Sequence, residues 1–369
     1  MKQRGRISGT RATVGAYYFE GWAGRNALAD DPTQPWAKDA PAHVTRQLVE
    51  EFPEREPVWG WRDDSLEIME RQIDLAADHG IAFFAFCWYW HDNGQAINKT
   101  AIQEDFKHLC LDLFLKARNS HRMKFCLLVA NHEGSEIKGV ANWKAAGEFW
   151  LPYLTHPQYQ TVGGKPLLII FNSKGGDRDG FAAMQESACK AGLPGLAIAG
   201  SWGGAPEDGY VHRQHNVAMD DGYTHRTHYN IVPGWARGLE SHTYAELAAA
   251  NRAEWHGSPG QPYMPIVTAG WDKRPWENPA DPSQKGCWYH PDRTPEQVAA
   301  CLRDAVAWMD HHPDQTTAER IVLVYAWNEF GEGGHIAPTK GDPEGKYLKA
   351  LKDVVYKSKV QGAAQNEAV

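Results

Sequence analysis

Two glutamates, Glu329 and Glu332, stand three positions apart just after an apolar run in the segment "VLVYAWNEFGEGGHIAP". A single carboxyl group at such a place is usually solvated or caps a turn. Two carboxyl groups that turn out of the strand into one cleft can act as proton donor and proton acceptor, which cleavage of a glycosidic bond requires. We therefore take Glu329 and Glu332 as the candidate catalytic pair.

The elements that must position this pair follow an alternating pattern. Eight strand-like runs, mostly separated by helical segments, cover residues 13–22, 81–90, 124–133, 165–171, 195–200, 220–230, 263–276 and 320–330. Continuous apolar runs such as "IAFFAFCWYW" are typical of parallel strands buried on both faces. The alternation predicts a parallel sheet, and eight units predict an α/β fold of the single (β/α)8 TIM-barrel type. A doubly wound sheet is the alternative, but no G-x-G-x-x-G motif follows the first strand.

The chain shows no linker or repeat, so we expect one catalytic domain over residues 1–369. Its barrel core should span about 13–357, followed by a disordered tail at 358–369. Asp64 is the expected N-cap of the helix before the second strand, and Gly80 the glycine that ends it. The segment "IQEDFKHLCLDLFLKAR" is expected to form one amphipathic helix.

Active sites of such barrels lie at the carboxyl ends of the strands. These ends are polar and aromatic here, as in "YYFEGW", "CWYWHDNG", "ANHEG", "GSWGG", "THRTHYN" and "GWDKRPW", whereas the opposite ends are plain. We predict that substrate is contacted by residues from all of these ends. They are Tyr18, Glu20, Trp22, Trp88, Trp90, Asn131, Glu133, Trp202, His225, His228, Tyr229, Trp271, Asp272, Arg274, Trp327 and Asn328.

Some of these residues also have a structural explanation. Strand alternation places Trp88 and Trp90 on one face, where they could belong to the core. Asp272 and Arg274 could form an ion pair or contact substrate, and the sequence favours neither. Sixteen tryptophans suit a sugar-binding cleft, and we expect Trp90 and Trp271 to be the stacking platforms.

The histidines and cysteines do not follow a metal-binding pattern. No H-E-x-x-H motif or cysteine–histidine cluster is present, so His225 and His228 are expected to hydrogen-bond to substrate. We expect no metal and no cofactor. The six cysteines include no C-x-x-C pair, and a disulfide framework is not expected.

The amino-acid composition argues against some classes of binding partner. The net charge of −8 and the absence of a basic block argue against nucleic acid and the membrane surface. No run reaches the length of about 18 apolar residues that a membrane span needs. We expect a soluble protein without a signal peptide in this chain, either cytoplasmic or, if a leader was removed, periplasmic or secreted. The expected partner is an oligo- or polysaccharide, and the oligomeric state stays open.

Several segments resemble the WbsX-like group, which is related to glycoside hydrolase family 99. They are "YYFEGW", "RQIDLAADHGIAFFAFCWYW", "VTAGWDKRPW" and "AWNEFGEGGHIAPTKGDPEGKYLKAL". The resemblance runs from about residue 14 to 355. It departs where family 99 has Trp-His and this chain has Phe330-Gly331, and where "ANHE" stands for the "WANE" common in the WbsX-like group.

The resemblance implies a (β/α)8 barrel that acts on glycans. Family 99 enzymes are retaining and endo-acting on α-mannosides, and they work through a 1,2-anhydro sugar. Carried over, Glu329 is the base that removes the proton of the sugar's 2-hydroxyl, and Glu332 is the acid and then the base for the leaving group. If a carboxylate nucleophile acted instead, Glu20 and Glu133 would be the residues to test.

Three functions are compatible with these features. A retaining α-glycoside hydrolase is the leading hypothesis. A glycosyltransferase or transglycosylase is the second, although no phosphate-binding loop or D-x-D metal motif is evident. A non-catalytic glycan-binding barrel would keep the tryptophans without needing both glutamates. The sequence leaves the sugar, its linkage and endo or exo action open.

Overall fold

The computed structural model of the chain describes residues 12–91, 96–202, 221–255, 260–278, 281 and 285–364. Eight of its strands form one nearly closed barrel. We number them β1 (Thr13–Tyr18), β2 (Ile81–Trp88), β3 (Lys124–Val129), β4 (Lys165–Ile170), β5 (Ala197–Trp202), β6 (His225–His228), β7 (Ile266–Thr268) and β8 (Ile321–Tyr325).

Helices surround this barrel. Those of the described ranges are α1 (Arg46–Glu50), α2 (Leu66–Asp78), α3 (Lys99–Glu104), α4 (Leu109–Lys116), α5 (Gly139–Leu154), α6 (Arg178–Lys190), α7 (Tyr244–Ala253), α8 (Pro295–His311) and α9 (Lys346–Ala364). Within those ranges, no helix is both long enough and apolar enough to cross a membrane.

The strand order is β6-β5-β4-β3-β2-β1-β8-β7, and every neighbouring pair is parallel. Between β6 and β7 the ladder is reduced to one parallel bridge, Arg226 to Tyr263. Two backbone bonds make it: the amide of Arg226 donates to Pro262 at 3.0 Å, and that of Met264 donates to the Arg226 carbonyl at 2.9 Å. This arrangement confirms the predicted (β/α)8 fold class and excludes the doubly wound sheet.

Both faces of the strands are buried, as their continuous apolar sequences require. In β2, Phe84 and Phe86 face outward and pack on Phe114 of α4, with ring centroids 6.5 Å and 5.4 Å away. Cys87, the next residue of β2, is also buried, at 2% exposure, and points the other way, toward the barrel axis. The barrel interior and the layer between barrel and helices are therefore two distinct cores.

Local sequence sets the helix ends, with two corrections. The N-cap of α2 is Ser65, whose hydroxyl accepts from the amide of Ile68 at 3.2 Å, whereas Asp64 pairs with Arg62. The helix ends as predicted, because Gly80 takes a φ of +85°.

The single helix expected after β2 is two helices. α3 stops at Glu104, and Asp105 caps a short 3-10 turn at Phe106–His108 before α4 begins. At the other end of the chain, the backbone of α9 continues to Ala364, inside the segment predicted as a disordered tail.

A long segment between β1 and α2, residues 19–65, crosses to the segment that follows β8. The backbone of Lys340 donates to Glu56 at 2.8 Å, and that of Gly341 donates to Glu54 at 2.7 Å. We call residues 19–65 the first loop. It encloses one side of the barrel mouth and is hydrogen-bonded to the segment that follows β8.

Candidate active site

The two glutamates lie on a tight turn that folds back from the end of β8. Asn328–Glu329 pairs antiparallel with Gly334–His335, so residues 330–333 form the tip. The amide of Asp272, after β7, donates to the carbonyl of Glu332 at 2.6 Å. We call residues 328–335 the glutamate turn. Both carboxyl groups therefore leave the strand at the mouth of the barrel.

Glu329 is the more deeply buried of the two, at 3% exposure. The hydroxyl of Tyr229, just after β6, donates to its Oε1. Its Oε2 is buried and has no hydrogen-bond partner among the described residues. Burial, followed by the charge of Glu332, raises the pKa of Glu329 well above its usual range. One oxygen of this carboxyl group is thus free to accept a proton from a bound molecule.

Glu332 is half-buried and has a tyrosine of its own. The hydroxyl of Tyr325, the last residue of β8, donates to its Oε2. Burial raises the pKa of Glu332, while the charge of Lys273 and the hydrogen bond from Tyr325 oppose this effect. Two neighbouring carboxyl groups with raised pKa values can share one proton, which is the state that acid–base catalysis needs.

Aromatic rings hold the two hydroxyl groups in place. The ring of Tyr229 lies 4.8 Å from Tyr17, 5.1 Å from Phe171 and 4.9 Å from Tyr325. Tyr17 and Tyr325 are fully buried. Tyr229 is among the residues predicted from the sequence, whereas Tyr325 and Lys273 are not. Tyr325 could have been found as the tyrosine that ends the strand before the glutamate pair, and Lys273 as the cation between Asp272 and Arg274.

The end of β2 contributes Cys87 and the following Tyr89. Burial and then the charges of Glu329 and Glu20 raise the pKa of the Cys87 thiol. Burial is also the main cause of the raised pKa of Tyr89, ahead of Cys87 and the same two glutamates. Both groups are therefore neutral in the neighbourhood of Glu329 and Glu20.

Glu20 belongs to a second acidic group, placed behind the mouth toward the start of α4. It is 1% exposed, and burial raises its pKa well above the usual range, although backbone N–H groups of Leu111 and Cys110 oppose the shift. Asp63 accepts hydrogen bonds from Tyr18 at 2.9 Å and from the Cys110 thiol at 3.4 Å, and burial raises its pKa to about 7. Tyr18 thus faces the helices and is not brought to the glutamate pair.

Two predicted tryptophans share this outward direction with Tyr18. Trp88 packs edge-to-face on Trp150 of α5, at 4.9 Å, and the indole N–H of Trp327 donates to Gln72 of α2 at 2.7 Å. Both tryptophans were expected to contact substrate, but they contact helices instead. Strand residues on the outward face pack against helices even at the mouth end of the barrel.

Two predicted asparagines bind backbone groups of neighbouring strand ends. Asn328 accepts from the amide of Phe19 and donates to its carbonyl, both at 2.8 Å. Asn131 makes the equivalent two bonds with Asn172, at 2.8 Å and 2.9 Å. Trp22 is equally committed, since its indole N–H donates to the Asn328 carbonyl at 2.8 Å. These side chains hold the backbone around the mouth in place and are not available to substrate.

The histidines of β6 are also placed away from the glutamate pair. His225 begins the strand, at the end opposite the mouth, and burial followed by the charge of Lys165 lowers its pKa to about 4. His228 faces the helices, with Tyr263 at 2.8 Å and Glu254 at 3.8 Å. Because β6 has only four residues, "THRTHY" spans its whole length, and only Tyr229 reaches the mouth.

The structure decides between the two explanations of Asp272 and Arg274 in favour of an ion pair. Arg274 donates to both carboxylate oxygens of Asp272 at 2.8 Å, and the buried Arg55 of the first loop binds the same carboxylate. Burial opposes ionisation, but the hydrogen bond from Arg274 and the charge of Arg55 hold the pKa of Asp272 below its usual range. Arg55 also donates to the carbonyls of Asp272 and Phe330, at 2.8 Å and 3.3 Å.

The two tryptophans that were expected to stack on sugar rings, Trp90 and Trp271, are buried in this structure. Trp90 and Trp271 are 4% and 3% exposed, so neither presents an open indole face. Trp235, which the sequence analysis missed, is half-buried and packs on Trp271 at 5.7 Å. Glu133 is exposed. Trp202 ends β5, and its side chain lies outside the part of the structure that is described.

The departure at Phe330-Gly331 has a packing cause. A Cβ atom at Gly331 would lie 2.1 Å from Cε2 of Trp276, whose indole N–H is held by the His43 carbonyl at 3.0 Å. Phe330 packs on Trp22 at 5.3 Å. The tip of the glutamate turn therefore rests on aromatic rings that leave no room for a side chain at position 331.

No group of three or more histidine, cysteine, aspartate or glutamate side chains is placed to hold a metal ion, as far as the structure describes the chain. The arrangement at the mouth is thus one of two carboxyl groups, two tyrosine donors and a nearby lysine.

Two solved structures share this architecture. The GH99 endo-α-mannosidase from Bacteroides thetaiotaomicron superposes with a TM-score of 0.58 at 13% identity, over 97% of this chain and 99% of that one. A structure described as a glycoside hydrolase-like protein gives a TM-score of 0.59 at 14% identity, over 93% and 94% of the two chains. The fold is therefore that of glycoside hydrolase-like barrels.

The family is defined by the sequence itself. Residues 60–351 match the family model described as Glycosyltransferase WbsX, and the chain belongs to that family. No curated protein shows a significant sequence match to it. The resemblance to a WbsX-like, GH99-like barrel is thus confirmed, while the family's name and the activity of its structural neighbours point to different reactions.

Proposed function

We propose that this protein is a retaining glycoside hydrolase that cleaves α-linked, mannoside-like glycans. One observation carries the proposal. Two carboxyl groups with raised pKa values sit on one turn at the barrel mouth, and each has a separate tyrosine donor. The fold shared with the GH99 endo-α-mannosidase supports the choice of substrate class.

The first step uses Glu329 as base and Glu332 as acid. The buried, unpartnered Oε2 of Glu329 accepts the proton of the sugar's 2-hydroxyl, and the freed oxygen attacks C1. The bond from C1 to the leaving oxygen breaks as Glu332 donates its proton to that oxygen. A 1,2-anhydro sugar results, and the glutamate pair has exchanged its two protonation states.

The second step reverses these roles. Glu332, now ionised, takes a proton from water, and the water oxygen opens the anhydro ring at C1. Glu329 returns its proton to the 2-oxygen. Two inversions at C1 give net retention, and no bond to the enzyme forms. General acid–base assistance of this type contributes about 10²–10⁴ to a rate.

A transferase is the second candidate, because the family's description names a glycosyltransferase. The same two steps would transfer the sugar if a glycan hydroxyl replaced water as the acceptor. Products read by mass spectrometry, from the protein incubated with an array of α-glycans, distinguish the outcomes. Hydrolysis gives shorter glycans only, whereas transglycosylation also gives longer ones, and use of a nucleotide sugar alone would contradict the proposal.

The roles of the two glutamates are separated by substitution. With an aryl leaving group that needs no proton, we expect Glu332→Gln to retain much of its glycosylation rate and Glu329→Gln to lose it. Glu67→Gln, at an exposed glutamate in the first turn of α2, is the matched control and should behave as wild type.

The anhydro route has its own test. A substrate without the 2-hydroxyl should not be cleaved by the intact enzyme. Rapid cleavage of that 2-deoxy substrate would contradict the anhydro route and direct attention to a carboxylate nucleophile, with Glu20 and Glu133 the first to substitute.

A further inference from the structure

Lys273 differs from the arginines around the mouth. Arg55 and Arg274 both bind the carboxylate of Asp272, and Arg293 donates to the carbonyls of Ala269 and His335 at 2.6 Å and 2.7 Å. Lys273 has no carboxylate within 4.0 Å among the described residues. Its Nζ lies instead over the ring of Trp235, 4.9 Å from the centroid. Its charge is therefore not neutralised by a direct ion pair with any described residue.

The backbone places Lys273 beside the glutamate turn. It follows Asp272, whose amide donates to the Glu332 carbonyl at 2.6 Å. On the side-chain level, Trp235 packs on Trp271 at 5.7 Å, and Trp271 lies 6.4 Å from Tyr325, the donor to Glu332. Lys273, Trp235, Trp271 and Tyr325 thus follow one another along the mouth, on the side of Glu332.

We propose that Lys273 is a positioning residue whose ammonium group supplies the counter-charge that lets Glu329 and Glu332 hold one proton between them. The inference rests on the proposed function for its catalytic meaning, but the charge state itself is a property of the free protein. With one proton, the pair carries a single negative charge, which one lysine balances.

Electrostatics favours this charge state over the alternatives. Two ionised carboxylates in a buried site repel each other, and two protonated ones leave no base. The charge of Lys273 lowers the pKa of both glutamates, against burial and against their mutual repulsion. A direct ion pair with Glu332 would keep that group ionised and unable to act as an acid. The cation–π contact with Trp235 holds the ammonium group at a distance that avoids this outcome.

The other titratable groups near the pair do not supply the missing charge. Tyr229 and Tyr325 are neutral donors, and Cys87 and Tyr89 at the end of β2 have raised pKa values. Glu20 behind them is a further acid. On the side of β7, Arg55 and Arg274 both bind the carboxylate of Asp272, and Arg55 also lies 3.9 Å from Glu54, so these four charges cancel. Glu277 has its pKa raised by burial, and the charge of Lys273 opposes that shift too.

The experiment is an infrared titration of the carboxyl groups in the free protein, with Glu329→Gln and Glu332→Gln used to assign the bands. We expect Lys273→Met to move the carboxylate midpoint of the pair upward by about one pH unit. Lys273→Arg should restore it. An unchanged midpoint in a folded Lys273→Met protein would overturn the proposal. If that variant does not fold, Lys273→Gln replaces it with the same expectation and the same refuting outcome.

Lys107→Met is the matched control. Lys107 is also half-buried and lies over an aromatic ring, Tyr89, at 4.7 Å, but its charge acts on Asp105 and the nearby histidines. Its loss should leave the midpoint of the pair where it is.

A second readout concerns catalysis. On any glycan that the wild type hydrolyses, the acidic limb of the kcat/KM profile should move upward with the infrared midpoint in Lys273→Met. A rise in KM alone, confined to anionic glycans, would instead show that Lys273 binds a substituent of the substrate, and would overturn the proposal. Because the infrared titration needs no substrate, it stands or fails independently of the hydrolase assignment.

Discussion

At the scale of single residues, the two glutamates are distinguished by their surroundings rather than by their chemistry. Glu329 is buried and has one oxygen without a hydrogen-bond partner among the described residues. Glu332 is half-buried, and the charge of Lys273 is the main influence that lowers its pKa. Tyr229 and Tyr325 each stabilise the ionised form of one carboxyl group by donating to it. Burial and the charge of Glu332 raise the pKa of Glu329, so its action as a base depends on the hydrogen bond from Tyr229.

Replacing Tyr229 by phenylalanine tests this role. The hydrogen bond lowers the pKa of Glu329, so its loss should raise that pKa further. Since the base must be ionised, we expect the acidic limb of the kcat/KM profile to move to higher pH. A hydrogen bond to a charged group contributes about 1.5–3 kcal/mol, so kcat/KM should fall by about 10–100-fold. The measurement is kcat/KM against pH on a glycan that the wild type cleaves.

Tyr17→Phe is the matched control for that change. The Tyr17 ring lies 4.8 Å from Tyr229, but its hydroxyl donates to the His228 carbonyl at 2.7 Å and touches neither glutamate. This variant should keep the pH profile of the wild type. A Tyr229→Phe profile that coincides with that of Tyr17→Phe would contradict the assigned role.

At the scale of elements, the first loop is anchored by the second acidic group. Asp63 lies at the end of this loop, and its amide donates to the Trp22 carbonyl at 3.1 Å, near the loop's beginning. Its carboxyl group is held by Tyr18 of β1 and Cys110 of α4. Glu20 lies beside it, and neither acid has a cation to balance its charge in the contacts that the structure gives. The anchor is therefore most stable when Asp63 is protonated.

The pH dependence of stability should reveal this anchor. The folded pKa of Asp63, about 7, exceeds its ordinary value of 3.8, so the stability it contributes is complete below pH 3.8 and is lost as the pH rises through 7. The loss is about 4 kcal/mol at most, at about 1.4 kcal/mol per pKa unit. We expect Asp63→Asn to gain stability relative to wild type between pH 4 and pH 7. Urea unfolding at several pH values measures this gain.

The neighbouring Asp64 provides the control. It forms an ion pair with Arg62 on a partly exposed surface, so Asp64→Asn should change stability little and without this dependence on pH. Parallel pH curves for wild type and Asp63→Asn would show that Asp63 is ionised in the folded protein.

At the scale of the whole molecule, the barrel is weakest between β6 and β7. Elsewhere neighbouring strands share ladders of several residue pairs, whereas this junction has the single bridge of Arg226 and Tyr263. The site straddles the junction, because Tyr229 follows β6 and Lys273 follows β7. Arg55 joins the first loop, the segment after β7 and the glutamate turn, and so ties the β7 side of the junction to the rest of the mouth.

Hydrogen exchange tests this distribution of stability. Local opening requires breaking few hydrogen bonds at the β6–β7 junction, so the amides of Arg226 and Met264 should exchange faster than those in the ladder between β2 and β3. Mass spectrometry of peptic fragments resolves the two regions. Equal protection in both would show that side-chain packing, rather than the ladder, holds the barrel closed.

The sequence by itself determined the barrel, the mouth and the glutamate turn. Continuous apolar runs alternating with amphipathic helices specify parallel strands buried on both faces, and polar residues then mark one end of every strand. This reasoning identified Glu329, Glu332 and Tyr229, which the structure brings together. These residues lie beyond the strands, where no packing requirement accounts for a carboxyl group.

Only the tertiary structure decided which neighbours of the pair face it. Strand alternation separates two faces, but when both are buried and apolar, nothing in the sequence tells the axis side from the helix side. The sequence therefore did not reveal that Tyr18, Trp88 and Trp327 face the helices. For the same reason the sequence did not predict that Tyr325 faces the barrel axis and donates a hydrogen bond to Glu332. The charge of Lys273 reaches the pair across the β7 and β8 ends, a proximity that exists only once the barrel has closed.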